Sequence, residues 1–181
     1  MFRLRLLRFI IFWFLKPKLG LLAEHRLSLR AWPIIDIDVT RMMAHAFTRA
    51  MVLGRYQLVF GSEFRGFAFR KRWYPATVAE MLQIYRPIRV FEKFAVTSQI
   101  LCWNEKKFYA EQRLVVGDGE VRARALIEGV IGGPAGFMRP GEVFAQMGVT
   151  RESPGMTEEI AAWIKNRPTF AGSRRPRTQG L

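Results

Sequence analysis

The chain has 181 residues and a mass of 21.0 kDa; half of its residues are hydrophobic, and 29 Lys and Arg against 15 Asp and Glu give a formal net charge of +14. That length and apolar content allow one sizeable core and exclude tandem domains and chain-wide disorder. One cysteine, Cys102, and two histidines, His25 and His45, exclude an intrachain disulfide, a Cys-based zinc or iron–sulfur site and a His-rich metal centre, so any catalysis must rest on carboxylates, hydroxyls and backbone amides.

The N-terminus places Arg3, Arg5 and Arg8 before an uninterrupted apolar run, Phe9 to Leu15. That run is too short to span a bilayer, which needs about 20 residues. Lys16-Pro17-Lys18 follows with no small-x-small cleavage site, which argues against a secretory leader. Residues 1–25 are expected to form a basic, apolar helix lying at a membrane interface, with Trp13 and the Phe residues at headgroup level and the cations of residues 1–18 on anionic lipid. The other reading of the same pattern is a helix packed on the domain or on a partner subunit.

Residues 26–32 alternate apolar and polar as a strand does, and Pro33 ends them. After an Asp-rich loop the spacing predicts a long helix over 42–61, with Met43, Phe47, Ala50, Met51, Gly54 and Leu58 on one apolar stripe and Arg41, His45, Thr48, Val52 and Arg55 on the other side. Residues 64–74 read as a basic, aromatic loop or short helix, closed by Pro75. Four strands follow: 77–85, 91–103, 108–116 and 121–130. Turns at Arg86-Pro87-Ile88, Asn104-Glu105-Lys106 and Gly117-Asp118-Gly119 join them, and such short connections predict an antiparallel meander. Gly132 to Gly136 reads as a loop. Pro140 and Gly148 bracket a short helix, and Thr157 caps a last one, with Glu158 and Glu159 in its first turn and Lys165 and Arg167 in its last. The fold class is therefore α+β, an antiparallel sheet wrapped around a long central helix. Residues 26–150 form the domain, residues 151–170 carry the C-terminal helix, and 171–181 are a basic disordered tail.

Four segments resemble the hotdog-fold acyl-CoA thioesterase superfamily, in its thioesterase superfamily member six-like and 4-hydroxybenzoyl-CoA thioesterase-like branches. They are Trp32-Pro33 followed by Asp36-Ile37-Asp38; Leu53-Gly54-Arg55; the run from Tyr85 to Phe94; and the run from Cys102 to Arg113. The stretch from Gly119 to Ala125 and Pro140-Gly141-Glu142-Val143 fit as well, so that the resemblance covers about residues 26 to 149. It implies a hotdog fold, a homodimer or dimer of dimers with active sites built between subunits, and an acyl-CoA substrate with no separate cofactor, coenzyme A being part of that substrate. The family pattern runs Asp-x-Asp and then a His-Met-Asn-Asn-like stretch opening the central helix. Counting from Asp38, the His position holds Met42 and the Asn positions hold Ala44 and His45. Other hotdog thioesterases place a histidine seven residues after the catalytic aspartate, where this chain has His45.

Thioester hydrolysis needs a carboxylate to activate water or attack the carbonyl, and donors aimed at the developing oxyanion. Asp38 meets the first need unless it is only a helix cap, and Asp36 reads as structural. The helix-terminal amides near Arg41, Met42 and Met43 meet the second, because they lack intrahelical partners. His45 orients water, holds the carboxylate or donates to the carbonyl, or else is a solvated histidine. The high positive charge suits nucleic acid, anionic lipid or a phosphorylated coenzyme. Nucleic acid is disfavoured, because the basic residues are spread along the chain without a recognisable motif. For the phosphates of coenzyme A the candidates are Arg70, Lys71 and Arg72, or Arg86 and Arg89. Trp103, Phe108 and Tyr109 read as sheet core, and Cys102 as inert. The expectation is a cytoplasmic thioester hydrolase, peripheral at the inner membrane face. The alternative is a non-catalytic acyl or lipid binder that keeps the fold without the usual His and Asn.

Overall fold

A computed structural model describes residues 18–32, 40–117 and 119–167. Of the helix expected over 1–25, residues 1–17 lie outside the described residues, as do the Asp36-Ile37-Asp38 loop and the basic tail, while residues 18–25 form a bridge at Leu19, a turn and the start of the first strand rather than helix.

The elements run β1 (His25–Arg30), α1 (Ala44–Phe60), α2 (Phe64–Lys71), β2 (Tyr74–Ile84), β3 (Lys93–Trp103), β4 (Phe108–Val116), β5 (Glu120–Gly133), β6 (Gly136–Met138), α3 (Pro140–Ala145) and α4 (Glu158–Asn166). The strands form one antiparallel sheet in the order β1-β3-β4-β5-β2, with β6 paired to β5. One face wraps α1, burying Ala46, Phe47, Ala50, Met51 and Leu53 against Val96, Leu114, Ala123 and Ala125. This is the hotdog arrangement that the resemblance implies. The stripe on α1 is rotated from the predicted one. Met43 precedes the first turn and is exposed, while Ala46 and Leu53 are buried.

Two expectations about the sheet are corrected. The four strands were expected to pair in sequence, but only β3, β4 and β5 form a meander; β2 pairs with β5 at the far edge. The connection from Tyr85 to Glu92 therefore crosses the end of the sheet. It has the reach to do so, since eight residues extend up to about 26 Å and three strand spacings need only about 14 Å. Ile88, fully buried in the main core, anchors the crossing. The second correction concerns Gly132 and Gly133, which continue β5 into a hairpin with β6 rather than forming a loop. An aromatic ring explains the glycine: a Cβ on Gly132 would lie 2.5 Å from Cζ of Tyr74 on the neighbouring strand.

The outer face of the sheet is covered by α4. Thr157 caps this helix by accepting from the Ile160 amide, and Ile160 packs on Cys102, Tyr109 and Leu126. Arg124 ties the helix down through its bidentate pair with Glu159 and its contact with Glu111. Burial pushes the Cys102 thiol up, the environment of an inert cysteine. At the other end of α1, His25 is fully buried, with Nε2 against the Gly20 carbonyl at 3.2 Å. This contact holds the segment before β1 beside the helix C-terminus, where Leu19 donates its amide to Gly61.

Candidate active site

The start of α1 is built by two crossing segments. Residues 40–42 lie antiparallel to the β2–β3 connection, with the Met42 amide donating to Ile88 (2.8 Å) and the Val90 amide to Thr40 (3.3 Å). Arg41 and Arg89 thus face each other as the bridge between those two bonds. This is a non-hydrogen-bonded pair, the geometry that brings cross-strand side chains closest and onto one face, with Cβ atoms about 4.5–5.5 Å apart. Both arginines are exposed, and among the described residues no carboxylate pairs with either guanidinium. Two like charges held together repel, and that repulsion is relieved by an anion that accepts from both. The helix beside them begins with Met43 as its N-cap, which offers no side-chain oxygen, and its first turn contains no acidic residue. The amides of Ala44 and His45 are first-turn donors, and they add the positive end of the helix dipole to the same place.

The candidate residues divide accordingly. Arg41, Met43, His45 and Arg89 lie exposed at this end of the domain. Arg86 is close by on the connection but is already engaged with Glu120 at 3.0 Å. Met42 departs from its expected role in substrate binding: its side chain is buried in the main core and its amide is taken by Ile88, so it anchors the helix start instead. Arg70, Lys71 and Arg72 lie before β2, whereas Arg86 and Arg89 lie after it. The 11 residues of β2 separate the two groups by about 35 Å, so within one chain they are two distinct clusters. Lys71 is used structurally, donating to Gln146 at 2.5 Å and lying over the Trp73 ring. Asp36 and Asp38 lie outside the described residues; Asp38 stands two positions before Thr40, whose carbonyl is fixed by Val90.

A second feature lies between α1 and the sheet, under β2. A cavity of about 70 Å³ is walled by Leu58, Val59, Phe108, Ala110 and Ile127, with Arg55, Thr77, Ser98 and Gln112 at its polar end. The helix comes unusually close here. A Cβ on Gly54 would sit 2.7 Å from Cγ1 of Val96 and 2.9 Å from both Nε2 of Gln112 and Oγ of Ser98. Gln112, buried inside the sheet, uses both amide hydrogens, on the Met51 carbonyl (2.9 Å) and on Oγ of Ser98 (2.8 Å). Its Oε1 accepts from Nε of Arg55 at 3.0 Å. Arg55 then reaches Oγ1 of Thr77 at 3.2 Å and the Glu80 carboxylate at 2.6 Å, so one guanidinium joins α1, β4 and β2. The sequence showed Arg55 on the polar side of the helix but did not reveal this network. The signal lay in Ser98 and Gln112, polar residues paired across β3 and β4 whose neighbours two positions away on the same face, Val96, Ile100, Ala110 and Leu114, are apolar. Among the described residues, no group of His, Cys, Asp or Glu is placed to hold a metal ion.

Residues 33–164 match the family described as the thioesterase-like superfamily. Protein THEM6 of Xenopus laevis is 35% identical over 83 residues, which is 44% of this chain and 38% of that protein, so the match covers well under two thirds of the relative's length. Among solved structures, a 1,4-dihydroxy-2-naphthoyl-CoA thioesterase from Synechocystis aligns at 12% identity with a TM-score of 0.57, covering 68% of this chain and 93% of that one. A Staphylococcus aureus protein solved in complex with CoA aligns at 13% identity with a TM-score of 0.52, covering 92% of this chain and 99% of that one. At such identities the likeness is one of fold, and it is the same sheet wrapped around a helix.

Proposed function

Because the chain belongs to the thioesterase-like superfamily, we propose that it hydrolyses acyl-CoA thioesters, with Asp38 as general base or nucleophile at the start of α1. The observation that carries this reading is the Arg41–Arg89 bridge beside an uncapped helix N-terminus. It gathers positive charge and free donors at a helix start that Asp38 precedes in sequence by six positions. Acting as base, Asp38 takes a proton from water, and the hydroxide adds to the thioester carbonyl carbon. The oxyanion is held by the Ala44 and His45 amides. Its collapse breaks the C–S bond, and the departing thiolate takes up a proton. Arg41 and Arg89 receive phosphate oxygens of the coenzyme, and His45, exposed in the first helical turn, orients the water.

Two features of the assembly complete the proposal. Among the described residues the outer edge of the 11-residue strand β2 carries no partner strand, a surface that a second copy satisfies. Residues 1–18, with their arginines before an apolar aromatic run, bring the domain to an anionic membrane surface. Among the described residues no helix is long and apolar enough to cross a membrane. The test of the activity is thiol release by the purified chain across a panel of acyl-CoAs of increasing chain length. Turnover of at least one thioester above the buffer rate supports the reading. Tight binding of acyl-CoA with no turnover of any would favour a non-catalytic acyl binder.

A further inference from the structure

The basic run Arg70, Lys71 and Arg72 is not absorbed by the site at the start of α1, because the length of β2 separates it from Arg86 and Arg89 within the chain. It closes α2, an eight-residue helix with two unlike sides. Phe64, Phe67 and Ala68 pack inward on a second core cluster that includes Leu58, Trp73 and Phe144. On the other side Phe69 is 60% exposed, with Arg65 one turn before it and Arg70 next to it. From Ser62 to Trp73 the chain carries four cations against one carboxylate, Glu63. Arg70 and Arg72 are exposed, and among the described residues neither pairs with a carboxylate; Arg70 donates to the Gly66 carbonyl at 3.2 Å and lies over the Phe67 ring. Arg72 holds φ at +55°, the left-handed conformation that ends many helices and ordinarily falls to glycine. A cation is kept there at the expense of that strain. The helix dipole favours cations at this end, but it gives no reason for Phe69 to face water.

The chain enters the domain beside this helix. The Leu19 amide donates to the Gly61 carbonyl at 2.9 Å, and Leu19 forms a bridge with Ser62, two residues before α2 begins. Leu19 is itself 46% exposed. Residues 1–18, basic and aromatic, therefore join the domain where α2 offers the same chemistry, an exposed apolar ring among guanidinium groups. That is the composition of a helix lying at a bilayer interface, with the ring at headgroup depth and the cations on lipid phosphates. A free phosphate would satisfy the arginines but leave Phe69 in water, and a nucleic acid has no use for the adjoining apolar run Phe9 to Leu15.

We propose that α2 is a second membrane contact, with Phe69 in the headgroup region of an anionic phospholipid surface and Arg70 and Arg72 on lipid phosphates, so that it fixes which side of the domain meets the bilayer. The proposal rests on the reading of residues 1–18 as a membrane-binding segment, and its test tells the two apart. Vesicles of one part phosphatidylserine to three parts phosphatidylcholine are titrated into the full chain. Arg70→Gln combined with Arg72→Gln should weaken binding about twenty- to thirtyfold, about fivefold for each cation lost. Phe69→Ser should weaken it as well, with melting curves confirming that these variants are folded. An environment-sensitive dye on Phe69→Cys should shift to the blue on binding, and the same dye on Ala162→Cys, exposed on α4 across the sheet, should not; Cys102 is buried and takes no dye. Binding that none of these substitutions weakens, with a silent dye at position 69, would overturn the proposal and leave residues 1–18 as the membrane contact. A shift at position 162 in place of 69 would overturn it, as would a shift at 69 that follows protein concentration without vesicles, which puts a second copy there. Equal loss of acyl-CoA thioether binding by the arginine variant in vesicle-free buffer would assign the cluster to the coenzyme and overturn it too. Tighter binding of a single-stranded oligonucleotide than of vesicles, lost in the same variants, would do so in favour of nucleic acid. If a chain beginning at Glu24 binds as tightly as the full chain and the dye at 69 still shifts, α2 is upheld and the reading of residues 1–18 is refuted. Failure of the full chain to bind vesicles would overturn both.

Discussion

Replacing Gly54 by Ala tests the account of how α1 seats on the sheet, because two opposing effects can be weighed from the structure. Alanine raises helix propensity by about 1 kcal/mol in a helix interior. Against that, the new methyl would lie 2.7 Å from Val96 and 2.9 Å from Gln112 and Ser98, which are 0%, 1% and 3% exposed and have no space to retreat into. Overpacking of a well-filled site costs about 1–3 kcal/mol, and stretching the Gln112–Ser98 bond adds up to about 1 kcal/mol. The clash prevails, and the net loss is about 1–2 kcal/mol, or about 3–8 °C in Tm for a chain of this size. Gly66→Ala in α2 is the control, because there a Cβ would meet only the flexible end of Arg70 at 3.4 Å; that variant should gain about 0.5–1 kcal/mol. Urea unfolding of both variants, with unchanged m-values, reads out the difference. A Gly54→Ala protein as stable as the Gly66→Ala protein would refute the close approach of helix and sheet.

Burial holds the His25 pKa below its ordinary 6.5, with the Gly20 carbonyl only partly offsetting it. The unfolded chain therefore takes up a proton that the folded one refuses, so stability is full above pH 6.5 and falls as pH drops through and below that value. His25→Gln should flatten this part of a stability–pH curve, and an unaltered slope would show that His25 is not its source. Flotation with anionic liposomes should be salt-sensitive for the full chain and lost for a chain beginning at Glu24; equal flotation of both would remove the interfacial role of residues 1–18. Sedimentation at micromolar concentration should give at least twice the 21.0 kDa chain mass, and a monomer alone would count against pairing through β2.

What could be read from the sequence followed from how locally each signal is encoded. Phe108 to Val116 was legible as a strand to the residue, because its turn chemistry and apolar run lie next to each other in the chain. The cap at Thr157 was equally local. The place of β2 was not, since nothing within Tyr74–Ile84 says which neighbour it takes. That is decided by Ile88, a buried anchor in a connection that looks like a turn. At the site, the arginine candidates were visible as residue types, but the pairing of Arg41 with Arg89 depends on a crossing between segments 48 positions apart. Arg55 and Gln112, 57 positions apart, are joined for the same reason. Met42 was misassigned because a methionine at the start of a helix looks alike in sequence whether it faces solvent or core.

The central claim, that Asp38 is the group that breaks the thioester, is tested most directly by thiol release from one acyl-CoA by the wild type and by Asp38→Asn, measured beside binding of the corresponding thioether. The account predicts equal binding and a fall in turnover of about two to four orders of magnitude in the variant, the usual contribution of a positioned acid–base group. Equal turnover by the two proteins would contradict it.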